Sequence, residues 1–315
     1  MPAPRVSDAH HTHRRHHSIK QWGPPVLLIL PSLILVTIFV YGLLGTNIYT
    51  SLLDNHTPAQ VNGVEPVHFV GFDNFMALFS DPDFLWSLRN LIIFTVVFLL
   101  GTLVIGFLLA WLMEKPVKGD GFFRSIYMFP MAVSFIASGV VWRWLLNSGT
   151  GEQASGLNRL FEMLHLSFLE NAWISGQKWG ILAIAVPAIW QLSGYIMALF
   201  LAGFRGIPEE LREAARMDGA SGWQMYRMVI FPQLAPVALS AVIIIGHMSL
   251  KSFDLIMAIT SQTWYQTKVP AIDMYNAMTV SDYSKAAAIG TVLLVIVAVL
   301  VIPYLIHDAR ESRNR

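Results

Sequence analysis

Five neighbouring residues in the middle of a long apolar run have side chains suited to binding a polar, uncharged ligand: Trp190, Gln191, Ser193, Gly194 and Tyr195. Gln191 and Tyr195 are four residues apart, so a helix presents both on one face. An amide and a phenol can exchange hydrogen bonds with a ligand, and aromatic rings can stack on its apolar face. A buried Gln costs free energy unless it has a partner, so Gln191 either contacts a ligand or hydrogen-bonds another helix. The sequence leaves both interpretations open.

Catalytic chemistry has little support in the sequence. The 315 residues include no cysteine, which excludes disulfides and thiolate metal sites. No His/Glu cluster, paired carboxylate or activated nucleophile falls on neighbouring helix faces, so we assign no catalytic residue and no metal site. The His-rich segment 10–17 is interpreted as part of a basic tail rather than a metal site. A net charge of +1 argues against a nucleic-acid partner.

Apolar runs define the elements that must position these side chains. Only 13% of the residues are charged, against about 25% in a typical soluble domain. Six runs are long enough to cross a membrane as helices: 23–46, 91–113, 125–142, 179–204, 228–250 and 286–306. The sequence therefore predicts an all-α polytopic membrane protein. We expect a cytoplasmic tail over 1–22, a transmembrane domain over 23–307 and a C-terminal tail over 308–315.

The distribution of basic residues predicts the orientation of the spans. Six spans place both termini on the same side. If that side is the cytoplasm, 14 of the 21 Lys and Arg residues are cytoplasmic and 7 are external. The positive-inside rule therefore favours cytoplasmic termini. The charged loop 205–227, between the fourth and fifth spans, is then also cytoplasmic.

The loop 205–227 has the pattern of two short helices. Pro208 suits a first helical position, Gly219 suits a helix end, and Ser221 can cap a second helix. A small, mildly apolar surface is expected from Ala214, Ala215, Met217 and Ala220. Such a surface either docks to another protein or packs on the chain's own helices, and the residues alone do not decide between these alternatives.

The stretch EAARMDGASGWQMYRMVIFP, residues 213–232, resembles the EAA loop of bacterial ABC importer permeases. Glu213, Ala214, Ala215, Gly219 and Pro232 stand at the spacing of that motif. Stretches 69–90, 201–215, 251–260 and 269–278 are also similar to the carbohydrate-importer branch, on its MalF-like side. The resemblance covers about residues 22–307. It departs from the branch at 261–265, where a Gly-Gly-Pro segment is usual.

This resemblance implies the fold and the partners. The implied fold is that of a type I ABC importer permease, with six transmembrane helices and a cytoplasmic coupling loop, in the bacterial inner membrane. The implied partners are a MalG-like second permease, two ATPase subunits, an extracytoplasmic solute-binding protein, a sugar and membrane lipid. Because the chain lacks a G-x-x-x-x-G-K-[ST] loop, we expect it to bind no cofactor, with ATP and Mg on the ATPase subunits. The residues implied to couple transport to ATP hydrolysis are Glu213, Ala214, Ala215, Asp218, Gly219 and Pro232.

The same resemblance places the sugar path near the membrane midplane, where discontinuous helices and polar residues gather. The leading candidates are Trp190, Gln191, Gly194 and Tyr195, and the weaker ones are Ser240, His247 and Asp254. The i, i+4, i+7 spacing of His247, Lys251 and Asp254 predicts that they share a helix face, and Lys251 could simply pair with Asp254. An outer-gate or structural role is favoured for them. Tyr275 and Asn276, with Trp264, are candidates for an outer vestibule, although an interfacial aromatic belt is the favoured interpretation of the rings.

Three other functions are alternatives to a sugar permease. An ABC permease for a polyol or glycerol phosphate would have the same fold with a different pocket. A secondary carrier would need ionisable residues at mid-span, and none of the six central regions has Asp, Glu, Lys or Arg. A membrane enzyme would need the clustered reactive groups that the sequence lacks.

Overall fold

The computed structural model describes residues 23–115, 118–176, 180–260 and 265–313. Within them the chain is helical, apart from loops and one isolated β-bridge between Leu53 and Phe69. It divides into two compact units, one ending at Tyr49 and one beginning at Thr50. The predicted tail over 1–22 lies outside the described residues.

The first predicted span is helical over its whole length. It consists of α1 (Gly23–Val36), a π-helical segment (Thr37–Gly42) and α2 (Leu43–Thr50). Its membrane-crossing part runs from Leu27 to Thr50, four residues beyond the predicted end.

Short helices precede the second span, which is longer than predicted. They are α3 (Pro58–Val61) and α4 (Asp73–Ser80), and the span itself is α5 (Pro82–Leu112). The side chain of Asp81 accepts a hydrogen bond from the backbone N–H of Asp83 at 3.0 Å, and Pro82 occupies the first helical position. These two capping features begin the helix before the apolar run starts.

The third predicted span is not one helix, which corrects the prediction of a continuous helix over 125–142. It is broken into α6 (Asp120–Ala132) and α7 (Phe135–Leu145), which meet at 94°. The Ser134 hydroxyl caps α7 by accepting a hydrogen bond from the backbone N–H of Ala137 at 3.1 Å. Pro130 lies in the last turn of α6. Among the described residues, five helices are long and apolar enough to cross a membrane, or six if this bent pair counts as one span.

The remaining elements follow in chain order. An outer helix α8 (Gly156–Met163) precedes the fourth span, α9 (Gly180–Gly206). The predicted loop contains α10 (Glu209–Met217) and α11 (Gly222–Met225), which continues through a π-helical segment (Tyr226–Ile230) into α12 (Phe231–Leu250). The chain ends with α13 (Phe253–Thr260), α14 (Pro270–Thr279) and α15 (Tyr283–Arg313). Helix α15 continues through 308–313, so the predicted boundary at 307 does not mark a helix end.

A helix break also separates the three polar residues expected on one face. Helix α12 ends at Leu250, whereas Asp254 lies in the first turn of α13. His247, Lys251 and Asp254 therefore do not share a helix face. The prediction from their spacing assumed one unbroken helix, and it was wrong. Lys251 and Asp254 are exposed, and no ion pair joins them in the described part of the chain.

Helix α9 is the central element of the bundle. Two-thirds of its apolar window is buried (67%), against 28% for α5. The two helices pack closely because Gly101 and Gly106 of α5 have no side chain. A Cβ at these positions would lie 2.4 Å from Ile189 and 2.6 Å from Ile196, both on α9. The candidate residues 190–195 are therefore in the middle of the bundle.

The loop before α14 is attached to the N-terminal part of α5. Asn90 donates hydrogen bonds to the carbonyls of Gln266 and Lys268 at 3.1 and 2.9 Å. Within this loop and α14, the Lys268 ammonium lies 2.5 Å from the buried carboxylate of Asp273. Burial raises the pKa of Asp273, and the hydrogen bond and charge of Lys268 oppose this effect only in part.

Candidate functional site

Gln191 connects α9 to the break in the third span. Its side chain is 1% exposed, and its Nε2 donates a 2.6 Å hydrogen bond to the backbone carbonyl of Val133. That carbonyl lies between α6 and α7, where the helical hydrogen-bond ladder is interrupted. The Oε1 of Gln191 is buried and has no hydrogen-bond partner among the described residues. The amide nitrogen of Gln191 therefore has the structural role of bonding another element of the chain, whereas the amide oxygen has no partner in the described residues.

A cavity of about 490 Å³ lies beside this break. Its volume is in the range of small-molecule sites, about 300–1,000 Å³. It is lined by Met131, Ala132, Val133, Ser134, Phe135, Gln191, Leu192, Tyr195, Ile244 and Met248. Gln191 and Tyr195 both line it, as expected for residues one turn apart. None of the described lining side chains carries a formal charge, so the cavity suits a neutral molecule.

The other members of the 190–195 cluster lie on a different face of α9. Trp190, Ser193 and Gly194 line a second, more apolar cavity of about 520 Å³ between α5, α6 and α9. Trp190 also packs edge-on against Trp142 of α7, with ring centroids 5.9 Å apart. The Ser193 hydroxyl donates to the carbonyl of Ile189 within α9. The cluster therefore does not form one surface, and only Gln191 and Tyr195 of its members line the first cavity.

Gly194 permits the closest approach of α6 to α9. A Cβ added at this position would lie 1.9 Å from the backbone oxygen of Tyr127. Contacts below 3.0 Å are essentially never made by real Cβ atoms. Gly194 thus acts by its lack of a side chain, which brings the α6 backbone against α9 next to the break.

The weaker candidates do not line the first cavity. The Ser240 hydroxyl donates to the Pro236 carbonyl at 3.0 Å within α12. His247 is half-buried one turn before the end of the same helix, and Asp254 is exposed on α13.

The vestibule candidates lie on α14 or outside the described residues. Tyr275 packs against Phe253 with ring centroids 5.5 Å apart, and Asn276 is half-buried. Trp264 lies outside the described residues, as does most of the segment where the family resemblance is interrupted.

Sequence reasoning missed the lining residues at the helix break, 131–135. Their signal was available in the sequence as Pro130 followed by Ser134. A proline and a helix-capping residue four positions apart are typical of a helix end and a new helix start.

The loop 205–227 folds into the two short helices that its local sequence predicts, although Pro208 is the N-cap of α10 and not its first helical residue. Helix α10 begins one residue after Pro208 and ends before Gly219, whose φ of +75° is the left-handed conformation that favours glycine. The backbone N–H of Ala220 donates to the Ala215 carbonyl at 2.9 Å, which closes the helix end. Ser221 and Gln224 form a reciprocal capping box at the start of α11.

Most of the candidate coupling residues are exposed. Helix α10 has no fully buried residue, and Met217 at its end is 89% exposed. Ala215 is half-buried, and the exposed candidates are Glu213, Ala214, Asp218, Gly219 and Pro232. The described chain thus presents a free surface at this loop.

Comparisons with known proteins identify relatives over most of the chain. The family model of binding-protein-dependent transport system inner membrane components matches residues 102–313. A probable ABC transporter permease protein of Pyrococcus horikoshii is 40% identical over 283 residues, which are 89% of this chain and 94% of the relative. A xylose/arabinose import permease protein of Haloferax volcanii is 28% identical over 94% of this chain and 89% of the relative.

A solved structure has a similar fold. It is a chain of a bacterial alginate ABC transporter, solved in complex with an alginate pentasaccharide-bound periplasmic protein. The two chains superimpose with a TM-score of 0.72 at 23% identity, covering 90% of this chain and 94% of the other.

Proposed function

Because the chain belongs to the family of binding-protein-dependent transport system inner membrane components, the permease subunits of ABC importers, we propose that it forms part of a translocation path for a neutral sugar. The observation that supports this proposal most directly is the cavity of about 490 Å³ beside the broken third span. Gln191 and Tyr195 line it, and they carry a side-chain amide and a phenol respectively. The hydroxyl groups of a sugar can hydrogen-bond the Gln191 amide, and its C–H face can stack on the Tyr195 ring.

The charge of the cavity supports a sugar over a glycerol phosphate. A phosphate ester is usually held by Arg, Lys or backbone N–H groups. No described side chain in the lining is charged. A second permease chain that faces the same path can add further groups, so the test below includes a phosphorylated substrate.

The energy for transport comes from outside this chain in the proposed mechanism. Two permeases pair in the membrane, and each docks its loop on an ATPase subunit that binds ATP and Mg²⁺. Closure of the ATPase dimer moves the loops, and the spans change between inward-open and outward-open states. A solute-binding protein delivers the sugar from outside.

The exposed surface of α10 supports a docking role for the loop. We assign to it Glu213, Ala214, Ala215, Asp218, Gly219 and Pro232. In this arrangement α10 faces the cytoplasm, and both chain termini lie on the same side.

The experiment is co-purification followed by reconstitution. The tagged chain is extracted in mild detergent, and mass spectrometry identifies its partners. The complex is then placed in liposomes with the solute-binding protein. Uptake of radiolabelled xylose, a disaccharide and glycerol 3-phosphate is measured with ATP or with a non-hydrolysable analogue. ATP-dependent uptake of a sugar supports the proposal, whereas uptake of only the phosphate ester contradicts it. Isolation of the chain alone, under conditions that preserve a known importer, contradicts the assembly.

A further inference from the structure

Four side chains, at the ends of transmembrane helices α5 and α12 and on α10, form one hydrogen-bonded cluster that includes a carboxylate. They are Trp111, Glu114, Arg212 and Tyr226, which we name the Glu114 cluster. Trp111 is in the last turn of α5 and Glu114 follows that helix. Arg212 is on α10, and Tyr226 begins the π-helical segment below α12. The cluster thus joins the cytoplasmic loop to the membrane domain.

Each carboxylate oxygen of Glu114 accepts a hydrogen bond from a different element. Arg212 Nη1 donates to Oε1, and the Tyr226 hydroxyl donates to Oε2 at 2.8 Å. The indole N–H of Trp111 donates to the Tyr226 hydroxyl oxygen at 2.9 Å. Glu114 therefore links α10 and the base of the fifth span to the end of the second.

Arg212 extends the cluster to a third transmembrane helix. Its Nη2 donates to the backbone carbonyl of Phe204 at 3.2 Å, near the C-terminal end of α9, where a cation is favoured. Only 15% of the Arg212 side chain and 12% of the Glu114 side chain are exposed. Removal of the Arg212 charge leaves the Glu114 carboxylate poorly solvated and without this ion-pair partner, which is strongly unfavourable.

Aromatic packing above the cluster joins the same helices. The ring of Phe107 on α5 lies 5.5 to 5.8 Å from three other rings, those of Phe200, Phe204 and Phe231. Two of these rings belong to α9 and the third begins α12. The cytoplasmic ends of α5, α9 and α12 are therefore held against one another, and α10 is attached to this group by the Glu114 cluster.

Helix α10 has few other means of attachment. None of its nine residues is fully buried, so it has no apolar residue anchored in the core. Its ion pair between Arg216 and Glu209 lies within the helix, and both side chains are 59% exposed. Exposed pairs of this kind contribute little to stability. Arg212 is thus the main side chain that ties α10 to the transmembrane helices.

We propose that Glu114 is a positioning residue that makes α10 and the ends of α5, α9 and α12 move as one body. A displacement of the exposed α10 surface is then transmitted to the helices that line the cavity. Without the Glu114 cluster, α10 turns on its two flanking linkers, and its displacement is lost. This inference rests on the proposed function for what displaces α10, but the attachment itself does not depend on the transported molecule.

The attachment can be measured directly because the chain has no native cysteine. Spin labels are placed at Glu210→Cys in the first turn of α10 and Leu108→Cys on α5, both of which are exposed. The distance distribution is recorded in the full reconstituted complex. We expect a narrow distribution for the parent and a broad one for Glu114→Gln. The matched control is Arg159→Gln, which removes one partner of an exposed ion pair on α8, and its distribution should stay narrow.

Transport per ATP hydrolysed provides the functional measurement. We expect Glu114→Gln to lower this ratio at least about fivefold, the lower limit of typical coupling effects. Arg159→Gln on α8 should leave it unchanged. The exchange variant Glu114→Arg with Arg212→Glu should restore part of it, which a merely structural defect would not allow. If Glu114→Gln does not assemble, Tyr226→Phe removes both hydrogen bonds of the Tyr226 hydroxyl while keeping the ion pair, and a smaller broadening is expected.

The outcomes distinguish this inference from the proposed function. A narrow distribution for Glu114→Gln, or a broad one with an unchanged transport ratio, overturns the positioning role. If the parent complex imports no sugar, the proposed function fails. The distance distributions then still decide whether Glu114 holds α10 to the membrane domain.

Discussion

Substitution of Gly194 by alanine tests the contact on which the broken third span depends. The added Cβ would lie 1.9 Å from the Tyr127 oxygen and 2.6 Å from its carbonyl carbon. Both are backbone atoms of α6, so no side chain can rotate away. Restoring a separation of at least 3.0 Å requires α6 to shift by about 1 Å relative to α9.

The expected cost follows from overpacking in a close-packed interior, about 1–3 kcal/mol. For a domain of 150–250 residues each kcal/mol shifts the unfolding midpoint by about 2–4 °C, so Gly194→Ala should lower it by about 2–12 °C. The shift of α6 also moves Val133 away from Gln191, so the affinity for the transported sugar should fall. Gly246→Ala is the matched control, because it lies on α12 with no atom within 4 Å of the added Cβ.

Thermal unfolding of the purified complex in one detergent, followed by size-exclusion chromatography, measures the difference. Alanine has a higher helix propensity than glycine by about 1 kcal/mol, so Gly246→Ala should be unchanged or more stable. If the two variants unfold at the same temperature and bind sugar equally well, the close approach of α6 to α9 is not as described. The argument about the break would then be refuted.

Four further outcomes are expected. Gln191→Leu removes the hydrogen bond to Val133 and the proposed ligand contact, so KM for sugar uptake should rise about tenfold, from a loss of about 1–3 kcal/mol; an unchanged KM contradicts ligand contact. Gly219→Val should lower transport per ATP, because a β-branched residue is strained at φ +75°, whereas Gly219→Asn should retain most of it; equal ratios contradict the argument. The pKa of Asp273 is raised, so the folded chain keeps this proton at a pH where the unfolded chain has lost it, and stability should fall as pH rises from about 4 through the raised pKa. Unfolding midpoints measured against pH should show a flatter decline for Asp273→Asn than for the parent. A membrane-impermeant maleimide should label Phe168→Cys in intact cells and Met217→Cys only after permeabilisation, and the reverse pattern contradicts the orientation.

Local sequence determined much of this protein. The five long apolar helices and the helix-turn-helix of the cytoplasmic loop were predictable because hydropathy and capping are properties of consecutive residues. Gly219 and Ser221 define their helix ends through their own backbone and side-chain preferences. These features need no knowledge of what packs nearby.

Residues 190–195 show what local sequence patterns could not predict. Helical spacing already separates Gln191 and Tyr195 from Trp190 and Gly194, but only the packing of other helices around α9 decides which cavity each pair lines. The apolar run 125–142 likewise did not predict the 94° bend. At this bend the carbonyl of Val133 accepts a hydrogen bond from Gln191, which lies 58 residues away in the sequence.

The Glu114 cluster was decided by tertiary structure alone. Its contacts join Glu114 to residues 98 and 112 positions away along the chain. In the sequence, Glu114 is followed by Lys115, and Arg212 lies between Glu210 and Glu213, so no local pattern marks Glu114 and Arg212 as partners of each other. Their pairing exists only because α5 and α9 run side by side and end at the same level. Hydropathy places each helix in the membrane, but the fit between side chains of distant segments fixes which helices adjoin and at what height.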